Sequence, residues 1–429
     1  MSPLLIRFTV AAVLTQIQDY FQIGDSNAGL LQTIFIVFYM IFAPLFGYFG
    51  DRYNRKMLMI IGLTIWTTAV FTSSLIHQKQ FWLFVLCRGI VGIGEASYST
   101  IAPTIIADLF IGHRRSTALM VFYFAIPVGS GLGFIMGSNI SLWTGSWQWG
   151  IRLTPIIGII CLLLLIIILN EPIRGAAENA NLEATTLCDD IKYLLTIRTY
   201  IFSTIGSTCV VSVAGCLAWW TPTLIQHAWS MEHGTSEISS DIKANISLTF
   251  GFITCVAGII GVIVGSALSQ VWQEGISCLK PNKLADPHVC AIGAFMGVPL
   301  LFFALTFAAH HIFFCWVFIF CGVMCCSFNW AVNMDILMYI TVAHRRAVAT
   351  AMQTLICHLF GDASTPYIVG LVSDTLRGDD SSIAAHFYAL QRALYIPNFI
   401  LVGGGAMYLI CSLYLLRDKE KAMESVQST

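Results

Sequence analysis

Two ionisable residues, Arg88 and Glu95, lie inside an otherwise apolar stretch that runs from Phe81 to Ile106. The stretch reads as a membrane span, where an ionisable group near the middle costs roughly 2.5 to 3.5 kcal/mol on insertion scales. Groups retained at that cost ordinarily serve the path of an ion or a polar solute. A spacing of seven puts both side chains on one helix face, separated by about 10 Å of rise at 1.5 Å per residue. Gly92 and Ser99 share that face. Small residues beside two opposite charges leave room for water, a proton or a polar headgroup, so the face reads as a transport path. The alternative on the same residues is a structural ion pair tying this span to a neighbour.

The elements that hold this face are all hydrophobic helices. The 429 residues are 57% hydrophobic and 10% charged, against about a quarter charged in a globular domain. This is the composition of an all-α, multi-pass membrane protein, with the lipid bilayer as its surroundings. Met1 to Gln18 is shorter than the roughly 20 residues a span needs, so the first of twelve transmembrane helices is expected to be incomplete. Full spans follow at Ala28 to Phe49, Met57 to Ile76, Phe81 to Ile106, Ala118 to Ile140 and Ile151 to Leu169. In the fifth, Gly129, Gly133 and Gly137 recur every four residues, a close-packing pattern, and Pro127 predicts a kink. Six more are read at Tyr200 to Ile225, Ile246 to Val271, Val289 to Ala309, Ile312 to Ile340, Ala347 to Val372 and about Leu394 to Leu416. The expected organisation is an N-terminal six-helix bundle over residues 1–170, a polar connection over 171–198, a C-terminal six-helix bundle over 199–416 and a tail over 417–429.

Charge orients this scheme. With the amino end inside, the loops and tail of the inner side hold fifteen of the 22 basic residues and the outer side four. That bias predicts cytosolic termini. A net charge of -1 provides no basic patch for nucleic acid. Most of the 14 cysteines fall in apolar spans without metal-finger spacing and read as small apolar packers. No metal and no cofactor is expected. His310 and His311 are adjacent and point to different faces, so they make a poor metal pair. No serine, histidine and carboxylate set has helical spacing suited to a nucleophile and base, which argues against an intramembrane enzyme. No Gly-rich lysine loop of the nucleotide-binding type occurs, so transport powered by bound ATP is not supported.

Several motifs resemble those of a known group of membrane transporters. The turn Gly47 to Lys56 resembles the signature loop between the second and third helices of the major facilitator superfamily, and Arg88 to Gly94 its fourth-helix arginine-glycine motif. More narrowly, Gly50 to Lys56, Arg88 to Phe110, Phe124 to Gly131, Ser327 to Trp330, Asp335 to Met338 and His358 to Tyr367 resemble the spinster family over residues 8 to 416. The resemblance implies the major facilitator fold, two six-helix bundles. It also implies transport of a lipid substrate, a lysophospholipid or a sphingosine-1-phosphate-like molecule, by alternating access, with protons as the coupled species in some members. Arg88 is then expected to take the phosphate as a bidentate donor and Glu95 to exchange the proton. Arg7 matches the arginine of the family's first-helix pair, whereas Ile6 stands where the family has an aspartate.

Gly47, Asp51, Arg52 and Arg55 are expected to form a cytosolic gate, with Asp51 bridging helix ends and Gly47 allowing close approach. Ser99, Asn329, His358 and Asp362 complete the candidate substrate or proton contacts; interhelical hydrogen bonds are the alternative for the last three. Asp335 is expected to be structural. The protein is expected to act as a monomer, in late endosomes and lysosomes or at the plasma membrane. Two other functions fit the composition. One is a carrier of another small organic substrate; the other is a non-transporting receptor or partner of a full-length relative.

Overall fold

The computed structural model describes residues 9–10, 12–23, 25–172, 186–235, 238–275, 280–378, 380 and 382–427, and the regular structure among them is helical throughout. Eleven helical stretches are long and apolar enough to cross a membrane. The chain forms two compact units. One comprises Met1–Thr196, Leu337–Leu355 and Lys421–Thr429, and the other Ile197–Ile336 and Ile356–Glu420. The first unit therefore includes a short segment from far along the second half of the sequence.

The first unit contains α1 (Leu14–Phe21), α2 (Asp25–Arg52), α3 (Arg55–Ser73), α4 (Phe81–Leu109), α5 (Gly112–Tyr123), α6 (Ala125–Thr144) and α7 (Trp147–Ile168). It also contains α8 (Leu187–Thr196), a 3-10 turn at Ala343–Arg345 and most of α14 (Arg346–Cys357). Among the candidate spans of the described residues helix α4 is the most enclosed, whereas α7 is the most apolar and mostly exposed. The pattern is that of a membrane bundle: α7 turns Ile159, Ile160, Leu163, Leu164 and Ile167 outward, where lipid replaces water, and α4 keeps its polar groups inside. Because lipid is as apolar as leucine, helices associate through close contact of small residues. Gly94 lies against Trp66 of α3, and Gly92 against the Phe35 carbonyl of α2.

The fifth expected span is present within Gly112–Ser141, with its helix interrupted at Phe124, just before Pro127. Pro127 lacks the N–H that would bond the Tyr123 carbonyl, and α5 ends at Tyr123; Phe124 then serves both as its C-cap and as the N-cap of α6. The regular pattern resumes with Val128 N donating to the Phe124 carbonyl at 3.2 Å. The polar connection also holds more order than its composition implies, because α8 lies within it. Its Asp190 and Leu194, at i and i+4, are both buried.

The second unit contains α9 (Arg198–His233), α10 (Ser240–Glu274), α11 (Ala285–Phe307), α12 (Ile312–Cys326), α13 (Asn329–Ile340), α15 (Thr365–Arg377) and α16 (Ile383–Gln427), apart from the last residues of α13 and α16. A π-helical turn at His358–Asp362 joins α14 to α15. The second amide of α9 is satisfied from a distance: Asp418 Oδ2 of α16 accepts from Thr199 N at 2.9 Å and from Thr199 Oγ1 at 2.8 Å.

Gly92→Val would push a side chain into the Phe35 carbonyl, and overpacking of this kind costs about 1 to 3 kcal/mol. The expected result is a lower melting temperature of the detergent-solubilised protein. Gly403→Ala, where nothing lies within 4 Å of the added Cβ, leaves it unchanged.

Candidate functional site

At one end of the first unit the sequence places a helix boundary, Gly47 to Lys56, and the structure fills it with paired charge. Asp51, at the end of α2, is 6% exposed. Its Oδ1 accepts from Ala347 N at 3.1 Å and its Oδ2 from Val348 N at 2.9 Å. A carboxylate from α2 thus caps the first turn of α14, where unsatisfied amides and the helix dipole favour negative charge. Gly47, one turn earlier, makes the approach possible, since a Cβ there would lie 2.7 Å from Ala351 Cβ and 2.9 Å from the Ala347 carbonyl oxygen.

Arg55 begins α3 and is 2% exposed. Its Nη1 donates to Asp108 Oδ2 at 2.5 Å, its Nη2 to the Pro172 carbonyl at 3.1 Å, and its backbone N to Glu171 Oε1 at 2.9 Å. Asp108, near the end of α4, also faces Arg346, with Nη1 to Oδ1 at 3.5 Å. Arg346 is fixed in turn by its Nε donating to the Met338 carbonyl at 2.8 Å. Arg52 donates to Asp190 Oδ2 of α8 at 3.1 Å, and Arg345 to the other oxygen of Asp190 at 3.0 Å. The four proposed gate residues therefore converge here, and each takes a partner that charge counting alone did not assign.

Midway along α4, Arg88 is 2% and Glu95 6% exposed. The Arg88 guanidinium carbon lies 5.4 Å from the centroid of the Phe35 ring. Ser99 donates to the Glu95 carbonyl at 2.9 Å and lies 2.9 Å from Tyr39 Oη. The expected face is present, and α2 lines it with Phe35 and Tyr39. Arg7 and Ile6 lie outside the described residues.

In the second unit His358 and Asp362 form a pair, with Nδ1 and Oδ1 2.7 Å apart across the π-helical turn. Such turns, with their extra residue per turn, concentrate at functional sites. Gly215 of α9 backs onto Asp362, where a Cβ would come within 2.6 Å of Asp362 Cβ. Asn329 is 3% exposed; its Nδ2 donates to the Cys326 carbonyl at 3.3 Å, and its Oδ1 has no hydrogen-bond partner among the described residues. Asp335 is buried on α13. Among the described residues no three His, Cys, Asp or Glu are grouped to hold a metal ion.

Asp108, Glu171 and Asp190 were not singled out by the sequence reading, and Arg345 and Arg346 entered it only as loop charges. Asp108 was accessible as the acidic residue closing the fourth span. Asp190 was accessible from the apolar residues Leu187, Ile191 and Leu194 that surround it at helical spacing.

The family model of the major facilitator superfamily matches residues 4–377. Protein spinster homolog 1 of Xenopus tropicalis is 44% identical over 421 residues, covering 97% of this chain and 79% of the relative. This chain belongs to the spinster family. The human spinster homolog 1 is 43% identical over 428 residues, 98% of this chain and 80% of the relative, and Protein spinster of Drosophila melanogaster is 40% identical over 471 residues, 98% and 76%. A bacterial homologue of the human lysosomal transporter Spinster, solved inward-facing and occupied, shares the fold with a TM-score of 0.66 at 18% identity over 97% of this chain and 95% of that one. The Escherichia coli fucose:proton symporter does so with a TM-score of 0.65 at 15% identity over 95% and 97%. The protein is thus a multi-pass membrane transporter of the spinster family with the major facilitator fold, and the expectations of fold and family are met.

Asp108→Asn leaves the buried guanidinium groups of Arg55 and Arg346 facing each other without the intervening charge. Breaking a buried pair on one side costs about 3 to 5 kcal/mol, which denaturant unfolding of the purified protein will register. Arg346→Met added to Asp108→Asn is expected to recover part of the loss, because one of the two guanidinium groups that faced Asp108 is gone.

Proposed function

We propose that this spinster-family transporter moves a single-tailed anionic or zwitterionic lipid, a lysophospholipid or a sphingosine-1-phosphate-like molecule, by alternating access coupled to protons. One observation carries the reading: a spinster chain keeps an arginine and a glutamate, both more than nine-tenths buried, two turns apart on α4. Arg88 supplies an always-charged, forked donor for a phosphate. Phe35 flanks it with aromatic surface and stacks on Tyr39, which suits the first carbons of a lipid tail. Glu95 is the proton carrier; one turn on, Ser99 donates to its backbone carbonyl and meets the Tyr39 hydroxyl. Asn329, with an open acceptor, and the His358–Asp362 pair are the second half's candidates for headgroup or proton contact. Arg7, from the first-helix motif, is retained as a candidate on the resemblance alone.

The gate follows from the charges around Asp51. Alternating access requires the α14 end to separate from the α2 end once per cycle, and the Asp51 cap is the contact that must break. The distribution of basic loops supports a cytosolic position for this end and for both termini. A monomer suffices for this cycle. The name of the solved bacterial homologue, which refers to a human lysosomal transporter, supports late endosomes or lysosomes as the site of action.

The test is flux of labelled lysophosphatidylcholine and sphingosine-1-phosphate in proteoliposomes with an imposed pH gradient. Arg88→Ala is expected to lower flux about tenfold or more, the scale of a lost charge-assisted hydrogen bond. Glu95→Gln is expected to remove the response to the gradient. Equal flux in Arg88→Ala and the wild type would refute the headgroup assignment, and no lipid flux from folded protein would point to another organic substrate or to a non-transporting role.

A further inference from the structure

The connection between the two halves of the sequence contributes a carboxylate to the charged end of the first unit. Asp190 is fully buried, although it belongs to a ten-residue helix in the most polar stretch of the chain. Each of its oxygens takes a different arginine: Oδ2 accepts from Arg52 at 3.1 Å and Oδ1 from Arg345 at 3.0 Å. Arg52 ends α2, and Arg345 immediately precedes α14. One side chain of α8 therefore ties together the same two elements that Asp51 joins directly.

Both arginines are held for this purpose. The Arg52 guanidinium lies 3.8 Å from the centroid of the Tyr48 ring, and its Nη1 donates to the Tyr48 carbonyl at 3.1 Å. Arg345 lies 4.3 Å from the centroid of Tyr193, which α8 itself supplies. Helix α8 thus contributes the anion and one of the aromatic platforms. Leu194, 2% exposed and one turn beyond Asp190, anchors it. A tether that only linked two bundles would need none of these contacts.

We propose that α8 is a latch and Asp190 its bolt: the carboxylate holds Arg52 and Arg345 together and sets how often the α14 end leaves the α2 end. Asp190 is a positioning residue and touches no substrate. The proposal rests on the gating reading of Asp51, and the two are separable by experiment.

Val348 is fully buried beside the Asp51 cap, so Val348→Cys reports departure of α14 by its rate of alkylation, followed by mass spectrometry of that peptide in the full-length protein in liposomes without lipid substrate. Asp51→Asn tests the gate itself. Asp190→Asn tests the latch and is expected to raise the rate about tenfold, the scale of one charge-assisted hydrogen bond between buried groups. Asp190→Glu is expected to restore most of the slow labelling. Arg345→Gln is expected to add little to Asp190→Asn, because both remove one shared contact. Native Cys290, fully buried on α11 in the second unit, serves as the control and is expected to keep its rate.

Acceleration in Asp51→Asn with no change in Asp190→Asn would overturn the latch and leave the gate intact. No change in either would overturn both, while a parallel rise at Cys290 would show that Asp190→Asn loosens the whole protein and would also overturn the latch. Since no lipid is present, none of these outcomes depends on the identity of the substrate.

Discussion

The charged end of the first unit depends on a carboxylate placed where a helix begins. Asp51 satisfies two amides of α14 that would otherwise be buried without acceptors. Every neighbouring interaction makes that placement tolerable. Gly47 lets the helices touch, while Arg55, Asp108 and Arg346 form a chain of alternating charge beside the contact. Among the described residues Asp108, Glu171 and Asp190 pair there with Arg52, Arg55, Arg345 and Arg346. A buried network of this kind is sensitive to the loss of any member.

Helix α4 connects this network to the proposed substrate face. Arg88, Glu95 and Asp108 lie along it over twenty residues, about 30 Å at 1.5 Å per residue, comparable to the hydrocarbon thickness of a bilayer. It is also the most enclosed of the candidate spans. The proposed substrate face and the charged end thus lie on one helix, with Pro103 between Glu95 and Asp108.

Most of the fold was legible in the sequence because a membrane leaves the chain few choices. Long apolar runs must be helices, and the polar stretch after Asn170 could only be a connection. Arg88 and Glu95 stood out for the same reason, as charges that the bilayer penalises. The residues that escaped notice are those in regions where charge costs nothing locally. Asp190 looks like any solvated aspartate until α8 folds and buries it, and Asp108 and Arg346 are 238 positions apart. Pro127 marks a disturbance in the sequence, and the structure interrupts the helix for one residue, Phe124, directly after the Tyr123 carbonyl that the proline cannot serve. Pairing between distant charges has no period, so no local pattern announces it.

The span between Asp51 and its partners has a consequence for biosynthesis. The amides it caps follow it by 296 and 297 residues, which the ribosome takes about 15 to 60 s to make at 5 to 20 residues per second. During that interval the Arg55–Asp108 pair can close, and Asp190 follows Arg52 after 138 residues, whereas Asp51 still awaits Ala347 and Val348. The Asp51 carboxylate is therefore made long before its partners, which arrive only with the membrane span that begins at Ala343.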